Sequence, residues 1–206
     1  MSGTKAPVFA VSRHRLGTDG AGVTTLVGFR GCPLGCRYCL NPECVSDGVK
    51  TLYLTPEELY NRVKQDRLYF LATGGGVTFG GGEPLLYPGF IAEFRNICGG
   101  EWKICAETSL AVPTENVKRA AGVIDRFFVD CKDTDPVIYK SYTGKSSDTM
   151  TENLKMLVSL VSPDRITARL PLIPGFNSES DVDASEKFLL SLGITDIDRF
   201  TYTVKQ

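Results

Sequence analysis

The sequence predicts an α/β fold in which a six-stranded parallel sheet curves into a partial (β/α)6 barrel. Two observations carry this. From residue 22 to 204, short runs rich in Val, Ile, Phe, Tyr and Thr alternate with amphipathic segments of helical period. Strands separated by helices imply right-handed crossovers and hence a parallel sheet. A third observation concerns organisation: no Ser/Gly-rich linker or low-complexity tract divides the 206 residues, 42% of them apolar, so one domain over 1–206 is expected, with 1–18 as an N-terminal extension.

In chain order, strands are expected at 23–30, 76–79, 103–108, 126–131, 166–172 and 199–204, where β-branched and aromatic residues cluster. The clearest helix begins at Thr55-Pro56-Glu57-Glu58 and runs to about residue 72. Thr can cap it, Pro suits its first position, and the acids favour the positive end of the helix dipole. Further helices fit 88–98, 114–121, 149–161 and 180–192; in the last, Phe188, Leu189 and Leu192 share a face before Gly193 ends it. In such a fold, loops at the strand C-termini carry function, by analogy with closed barrels.

Charge and length exclude several classes. With 23 basic against 24 acidic residues, there is no basic excess for sequence-independent nucleic-acid binding. No apolar run approaches the roughly 20 residues that span a bilayer, and no signal core opens the chain, so a cytoplasmic protein with no membrane partner is expected. Seven cysteines, an odd number with three crowded together, suit metal ligation in a reducing compartment better than disulfides. The single histidine, His14, lies in the basic stretch Arg13-His14-Arg15 and reads as part of a solvated tail, which leaves little material for a His-based triad.

The decisive segment is Gly31-Cys32-Pro33-Leu34-Gly35-Cys36-Arg37-Tyr38-Cys39, directly after the first expected strand. Its C-x3-C-x2-C spacing lets three thiolates converge on one iron–sulfur cluster. Three ligands on a four-iron cube leave one iron open to a substrate. The competing reading is a zinc site completed by Cys44, although zinc commonly uses paired C-x2-C knuckles. Thr78-Phe79-Gly80-Gly81-Gly82-Glu83-Pro84 ends the second strand, its glycines allowing backbone to pack against a ligand and its Glu83 able to accept from an ammonium. Glu107-Thr108-Ser109 and Asp130-Cys131-Lys132-Asp133 end the next two strands, gathering polar groups at one rim.

The cysteine segment resembles the signature of the radical S-adenosylmethionine superfamily, and the Gly-Gly-Glu turn resembles the motif that there holds the methionine amino group. The resemblance implies a 4Fe-4S cluster on Cys32, Cys36 and Cys39, with S-adenosylmethionine chelated at the open iron and cleaved to a 5′-deoxyadenosyl radical. A narrower resemblance is to activating enzymes of glycyl radical enzymes, the group of pyruvate formate-lyase activating enzyme. It rests on Asp19-Gly20-Ala21-Gly22, Glu107-Thr108-Ser109, Asp130-Cys131-Lys132, Tyr142-Thr143-Gly144 and Arg169-Leu-Pro-Leu-Ile-Pro-Gly175-Phe-Asn177, and spans about 19–203.

That resemblance implies hydrogen abstraction from a glycine of a partner glycyl radical enzyme, with Asp19 near the substrate peptide and a flavodoxin- or ferredoxin-like electron donor. Tyr38, Leu40, Gly81, Gly82, Glu83, Thr108, Asp130, Cys131, Lys132 and Arg169 would contact the cofactor. Glu107, Thr108, Asp130 and the Cys131 carbonyl would hold a monovalent cation, Na or K. Only Cys44 lies between Cys39 and Thr78, so a form without the ferredoxin-like insert is expected, acting as a monomer under anaerobic conditions. Cys98 and Cys105 read as small apolar residues. Three positions depart from the group: Leu40 follows the third cysteine, Ala21 replaces a proline, and Phe200-Thr201-Tyr202-Thr203 stands where a histidine usually packs on adenine. They motivate an alternative, a radical enzyme acting on another peptide or a small metabolite. A non-catalytic iron–sulfur or zinc protein is the alternative of another class.

Overall fold

Ala6–Leu16 form β1, antiparallel to β2 (Val23–Phe29), in a computed structural model that describes residues 4–202. This corrects the reading of 1–18 as an extension. Ala6 and Val8 alternate into the core, whereas Pro7 and the polar run from Ser12 to Arg15 hide the period-two signal. His14 is therefore not in a solvated tail. Its Nε2 lies 3.0 Å from buried Asp66 and its ring meets Tyr69 edge-on at 5.1 Å.

A short β3 (Leu52–Leu54) pairs with the start of β1. β4 (Gly76–Gly81), β5 (Lys103–Thr108), β6 (Arg126–Asp130), β7 (Ile166–Leu172) and β8 (Asp196–Thr201) follow β2 in parallel, so the order is β3-β1-β2-β4-β5-β6-β7-β8. The six parallel strands expected are present, and the antiparallel β1 and β3 extend them to eight among the described residues. The end strands β3 and β8 do not pair, so the barrel is open. β8 starts and stops three residues earlier than expected; Thr203 and Val204 lie outside the described residues.

Seven helices are described: α1 (Pro56–Val63), α2 (Arg67–Thr73), α3 (Pro88–Cys98), α4 (Thr114–Ala121), α5 (Pro136–Thr143), α6 (Asp148–Leu160) and α7 (Glu179–Ser191). None is long and apolar enough to cross a membrane. At α1 the expected cap is reciprocal: Glu58 N donates to Thr55 Oγ1 (3.2 Å) and Thr55 N to Glu58 Oε2 (2.8 Å). The single helix expected over 55–72 divides at a 3-10 turn, Lys64–Asp66, which carries Asp66 inward to Arg13 and Thr25. α5 was not anticipated, although Asp135 caps it through Val137 N and Ile138 N and Gly144 ends it.

The core lies between the sheet and the helices, with Phe29 stacked on Phe79 at 5.3 Å and Phe90 and Phe94 edge-on to them. Burying these aromatics fixes β2 and β4 side by side, and with them the loops at their C-terminal ends. Those loops carry the cysteines and the Gly-Gly-Glu turn.

Candidate active site

Beyond β2 the chain turns at Gly31, and Cys32, Cys36 and Cys39 all line one cavity of about 470 Å³. The loop is pinned at three points. Gly31 N donates to Cys44 O (2.8 Å), Gly35 N to Thr143 O (2.9 Å) and Arg37 N to Tyr142 O (3.1 Å). Cys44 is buried behind the loop and is not among the cavity-lining residues. Among the described residues, no three His, Cys, Asp or Glu side chains gather closely enough to hold a single metal ion. Burial pushes the Cys32 thiol up to about 11 and raises Cys36, while the Cys44 thiol beside Cys39 holds that group down to about 6. Thiols raised by burial ionise on binding iron, and three on one loop facing open space fit an iron–sulfur cluster with a free coordination position.

The Gly-Gly-Glu turn packs against this loop. Gly82 N donates to Phe29 O (2.9 Å) and Glu83 N to Gly31 O (2.8 Å); a Cβ on Gly82 would lie 2.2 Å from Gly31 O. Glu83, 1% exposed, accepts from Thr108 Oγ1 (2.7 Å), Ser109 N (2.9 Å), Ser109 Oγ (2.7 Å) and Leu85 N (3.1 Å). Burial still raises its pKa against these bonds. Its carboxylate thus ties β5 to the turn, and Thr108 reaches the site only through it.

Ion pairs cover the rest of the wall. Lys132, buried, donates to Tyr202 Oη (3.1 Å) and lies 3.3 Å from Asp130. Burial works against its charge, yet Asp130 and Tyr202 hold its pKa well above the ordinary value. Arg169 Nη1 lies 2.7 Å from Glu107, and the guanidinium stacks 4.8 Å above Phe128. Register places Asp130, Arg169 and Asp198 in one row across β6, β7 and β8.

The loop between β1 and β2 enters the cavity from the opposite end. Asp19 is 3% exposed and paired with Arg15, its carbonyl accepts from Thr78 Oγ1 (2.5 Å), and the carbonyl of Thr18 accepts from Arg169 Nη2 (3.2 Å). Asp19 and the three cysteines therefore share one cavity despite entering from different ends of β2.

Of the expected site residues, Cys32, Cys36, Cys39, Asp19, Leu40, Gly81, Gly82, Glu83, Glu107, Asp130, Lys132 and Arg169 line this cavity. Thr108, Cys131 and Tyr38 do not. Cys131 is fully buried, and Tyr38 donates to Pro174 O at 3.3 Å while packing edge-on to Tyr142 and Phe176. Sequence reasoning passed over Arg15 and Asp198, both cavity-lining. The period-two relation of Asp198 to Phe200 was the available signal for the second; for Arg15, only its spacing of four from Asp19 offered one.

An open parallel barrel with three cysteines on the loop after its first parallel strand, faced by a Gly-Gly-Glu turn, defines an iron–sulfur enzyme of the radical type. The family model for the radical SAM superfamily matches residues 26–188, and the chain belongs to that superfamily. It is 27% identical to the indoleacetate decarboxylase activating enzyme of Tractidigestivibacter scatoligenes, over 82% of this chain and 75% of that one. It is 29% identical to the pyruvate formate-lyase 2-activating enzyme of Escherichia coli K12, over 93% and 75%. Among solved structures, Streptococcus suis SuiB bound to precursor peptide SuiA superposes with a TM-score of 0.63 at 15% identity, covering 84% of this chain and 37% of its own, a likeness of fold.

Proposed function

We propose that this protein is an activating enzyme that installs a radical on a glycine of a partner glycyl radical enzyme. The observation that carries the proposal is the single cavity into which Cys32, Cys36, Cys39, Glu83, Lys132 and Asp19 all face. The relatives named as activating enzymes, similar over most of the chain, support the choice of substrate class.

Cys32, Cys36 and Cys39 hold the 4Fe-4S cluster. The cluster and S-adenosylmethionine, when bound, supply one-electron cleavage of a carbon–sulfur bond and, through its product, removal of hydrogen from the glycine. The chain's part is to bind, aim and exclude water. Gly81, Gly82 and Glu83 offer backbone and a buried carboxylate to the methionine amino end, with Thr108 holding Glu83 in place. Asp130, Lys132 and Arg169 form the polar wall for the ribose and carboxylate, and Leu40 and the backbone at Tyr38 flank the adenine. Asp19, brought in from the far side, meets the substrate peptide. A Na or K ion on Glu107, Thr108, Asp130 and the Cys131 carbonyl would share Glu107 with Arg169 and Thr108 with Glu83. We place the protein in the cytoplasm as a monomer, reduced by a flavodoxin- or ferredoxin-like donor.

The test is anaerobic reconstitution with iron and sulfide, reduction, and addition of S-adenosylmethionine and a candidate partner, with Cys36→Ala as control. Release of 5′-deoxyadenosine together with a glycyl radical signal on the partner is expected. Release of 5′-deoxyadenosine that deuterium labelling traces to a small molecule would transfer the reading to another radical reaction.

A further inference from the structure

The charges that line the site cavity do not balance. Three are cations, Arg15, Lys132 and Arg169, and five are carboxylates, Asp19, Glu83, Glu107, Asp130 and Asp198. Each cation already holds one carboxylate. Arg15 donates to Asp19 through Nε and, at 3.1 Å, through Nη2; Arg169 lies 2.7 Å from Glu107 and Lys132 3.3 Å from Asp130. Glu83 takes its four hydrogen bonds from its own chain. Asp198 remains, and among the described residues no cation and no hydrogen-bond donor meets its side chain.

Strand register explains why. Asp130, Arg169 and Asp198 stand side by side on β6, β7 and β8. Glu107, the ring of Phe128 and Thr18 O together hold the guanidinium of Arg169, so it is not available to Asp198. Arg199, the next residue along β8, bonds instead to Glu179, Asp183 and Glu186 of α7. On its other side β8 has no neighbouring strand, because it ends the open sheet. Asp198 therefore faces the cavity at the border of the barrel's opening with both adjacent arginines engaged elsewhere.

A carboxylate in water needs no partner, but one covered by a substrate loses its hydration and needs a cation in exchange. S-adenosylmethionine does not bring that cation. Its ammonium is met by Glu83, its sulfonium has no hydrogen to donate to an oxygen, and its ribose hydroxyls are uncharged. We propose that Asp198 determines substrate specificity, pairing with a lysine or arginine side chain in the segment that carries the reacting glycine. The inference rests on the reading of the protein as an activating enzyme. A segment entering beside the end strand β8 passes Asp198, and a carboxylate there matches an arginine fork or a lysine ammonium.

The probe is a blocked heptapeptide with a central glycine among alanines, in which arginine replaces each alanine in turn, and citrulline, its uncharged counterpart, does the same. Binding is measured by calorimetry to the anaerobically reconstituted, oxidised protein with S-adenosylmethionine present. In wild type, arginine at one or two positions should bind at least tenfold tighter than citrulline. Asp198→Asn should erase that preference with no change in melting temperature, and Asp198→Lys should favour glutamate at the same position. An arginine preference absent from wild type overturns the proposal, as does one that survives in Asp198→Asn. A tenfold loss of S-adenosylmethionine affinity in Asp198→Asn overturns it too and assigns the carboxylate to the cofactor. The underlying reading fails separately: after reduction, deuterium in the central glycine of the tightest peptide that never reaches 5′-deoxyadenosine overturns glycine as the hydrogen donor, whatever Asp198 binds.

Discussion

Arg169 on β7 reaches Glu107 on β5, 2.7 Å away, by lying over Phe128 of the strand between them, and its second arm donates to Thr18 O at 3.2 Å. One guanidinium thus joins two strands and the loop between β1 and β2. Both partners of the pair are largely buried, at 17% and 16% exposed, so removing the cation strands a carboxylate in a poorly solvated place. Arg169→Ala should cost on the order of 3 kcal/mol in urea unfolding. It should also speed hydrogen exchange at the amides of residues 20–22. Arg169→Lys, which lacks the fork, should restore part of the stability and little of the exchange protection.

Glu83 accepts four donors from its own chain, and two of these are backbone N–H groups that cannot turn away. Glu83→Gln keeps the shape but presents an amide N–H₂ to a donor on one side or the other. We expect a stability loss of about 1–3 kcal/mol and looser attachment of β5 to the turn. Calorimetric binding of S-adenosylmethionine to the reconstituted variant should weaken at least tenfold. Unchanged affinity would show that Glu83 serves the fold alone.

Much of this site was legible because its signals are local. Cys32, Cys36 and Cys39 lie within eight residues, and the glycines beside Glu83 mark a close approach whatever the partner turns out to be. The pairs that organise the cavity were not legible. Arg169 and Glu107 are 62 residues apart, Lys132 and Tyr202 are 70 apart, and only strand register brings them together. β1 was missed because the outer half of an edge-side antiparallel strand is polar, so its apolar alternation lasts only from Ala6 to Val8. α5 was missed although Asp135-Pro136 and Gly144 mark both its ends. Its role as the bed of Cys36 depends on bonds between residues more than a hundred positions apart.

Asp66 offers a pH test away from the cavity. Arg13, by hydrogen bond and charge, holds its carboxyl below the ordinary aspartate range against the effect of burial, helped by Thr25 and His14. A depressed folded pKa gives stability that is present above the unfolded value and is lost as pH falls through the folded one. Asp66→Asn should therefore be about 2 kcal/mol less stable than wild type at pH 7. The gap should begin to close near pH 4, where the unfolded carboxyl takes up its proton, and should vanish only once pH falls below the depressed folded value. A gap that stays constant from pH 7 to pH 3 would mean that the charge on Asp66 contributes nothing.

Tyr202 is the only side chain that donates or accepts a hydrogen bond with Lys132, at 3.1 Å, besides the Asp130 ion pair, among the described residues. Tyr202→Phe keeps the ring beneath the ammonium, 5.6 Å from its centroid, and removes the hydroxyl that fixes its direction. A lost bond to a buried cation is worth roughly 1.5–3 kcal/mol, but Asp130 still neutralises Lys132, so the lower end applies. Affinity for S-adenosylmethionine should fall roughly tenfold, with a smaller effect on melting temperature than Lys132→Ala.

Gly82 tests how tightly the turn and the cysteine loop depend on one another. An alanine Cβ there would lie 2.2 Å from Gly31 O and 2.8 Å from Phe29 O, both backbone atoms that cannot swing aside. Relief requires breaking the bonds from Gly82 N to Phe29 O and from Glu83 N to Gly31 O, and Gly31 directly precedes Cys32. Gly82→Ala should cost about 2–3 kcal/mol and lower the melting temperature by roughly 4–12 °C. Gly48 makes the contrast: its φ of +75° disfavours alanine, but a Cβ there meets nothing within 4 Å. Gly48→Ala should leave the iron content of the reconstituted protein at the wild-type level, whereas Gly82→Ala should lower it. Equal iron in both variants would mean that the cysteine loop keeps its shape without the turn, and the packing argument for the Gly-Gly-Glu segment would fail.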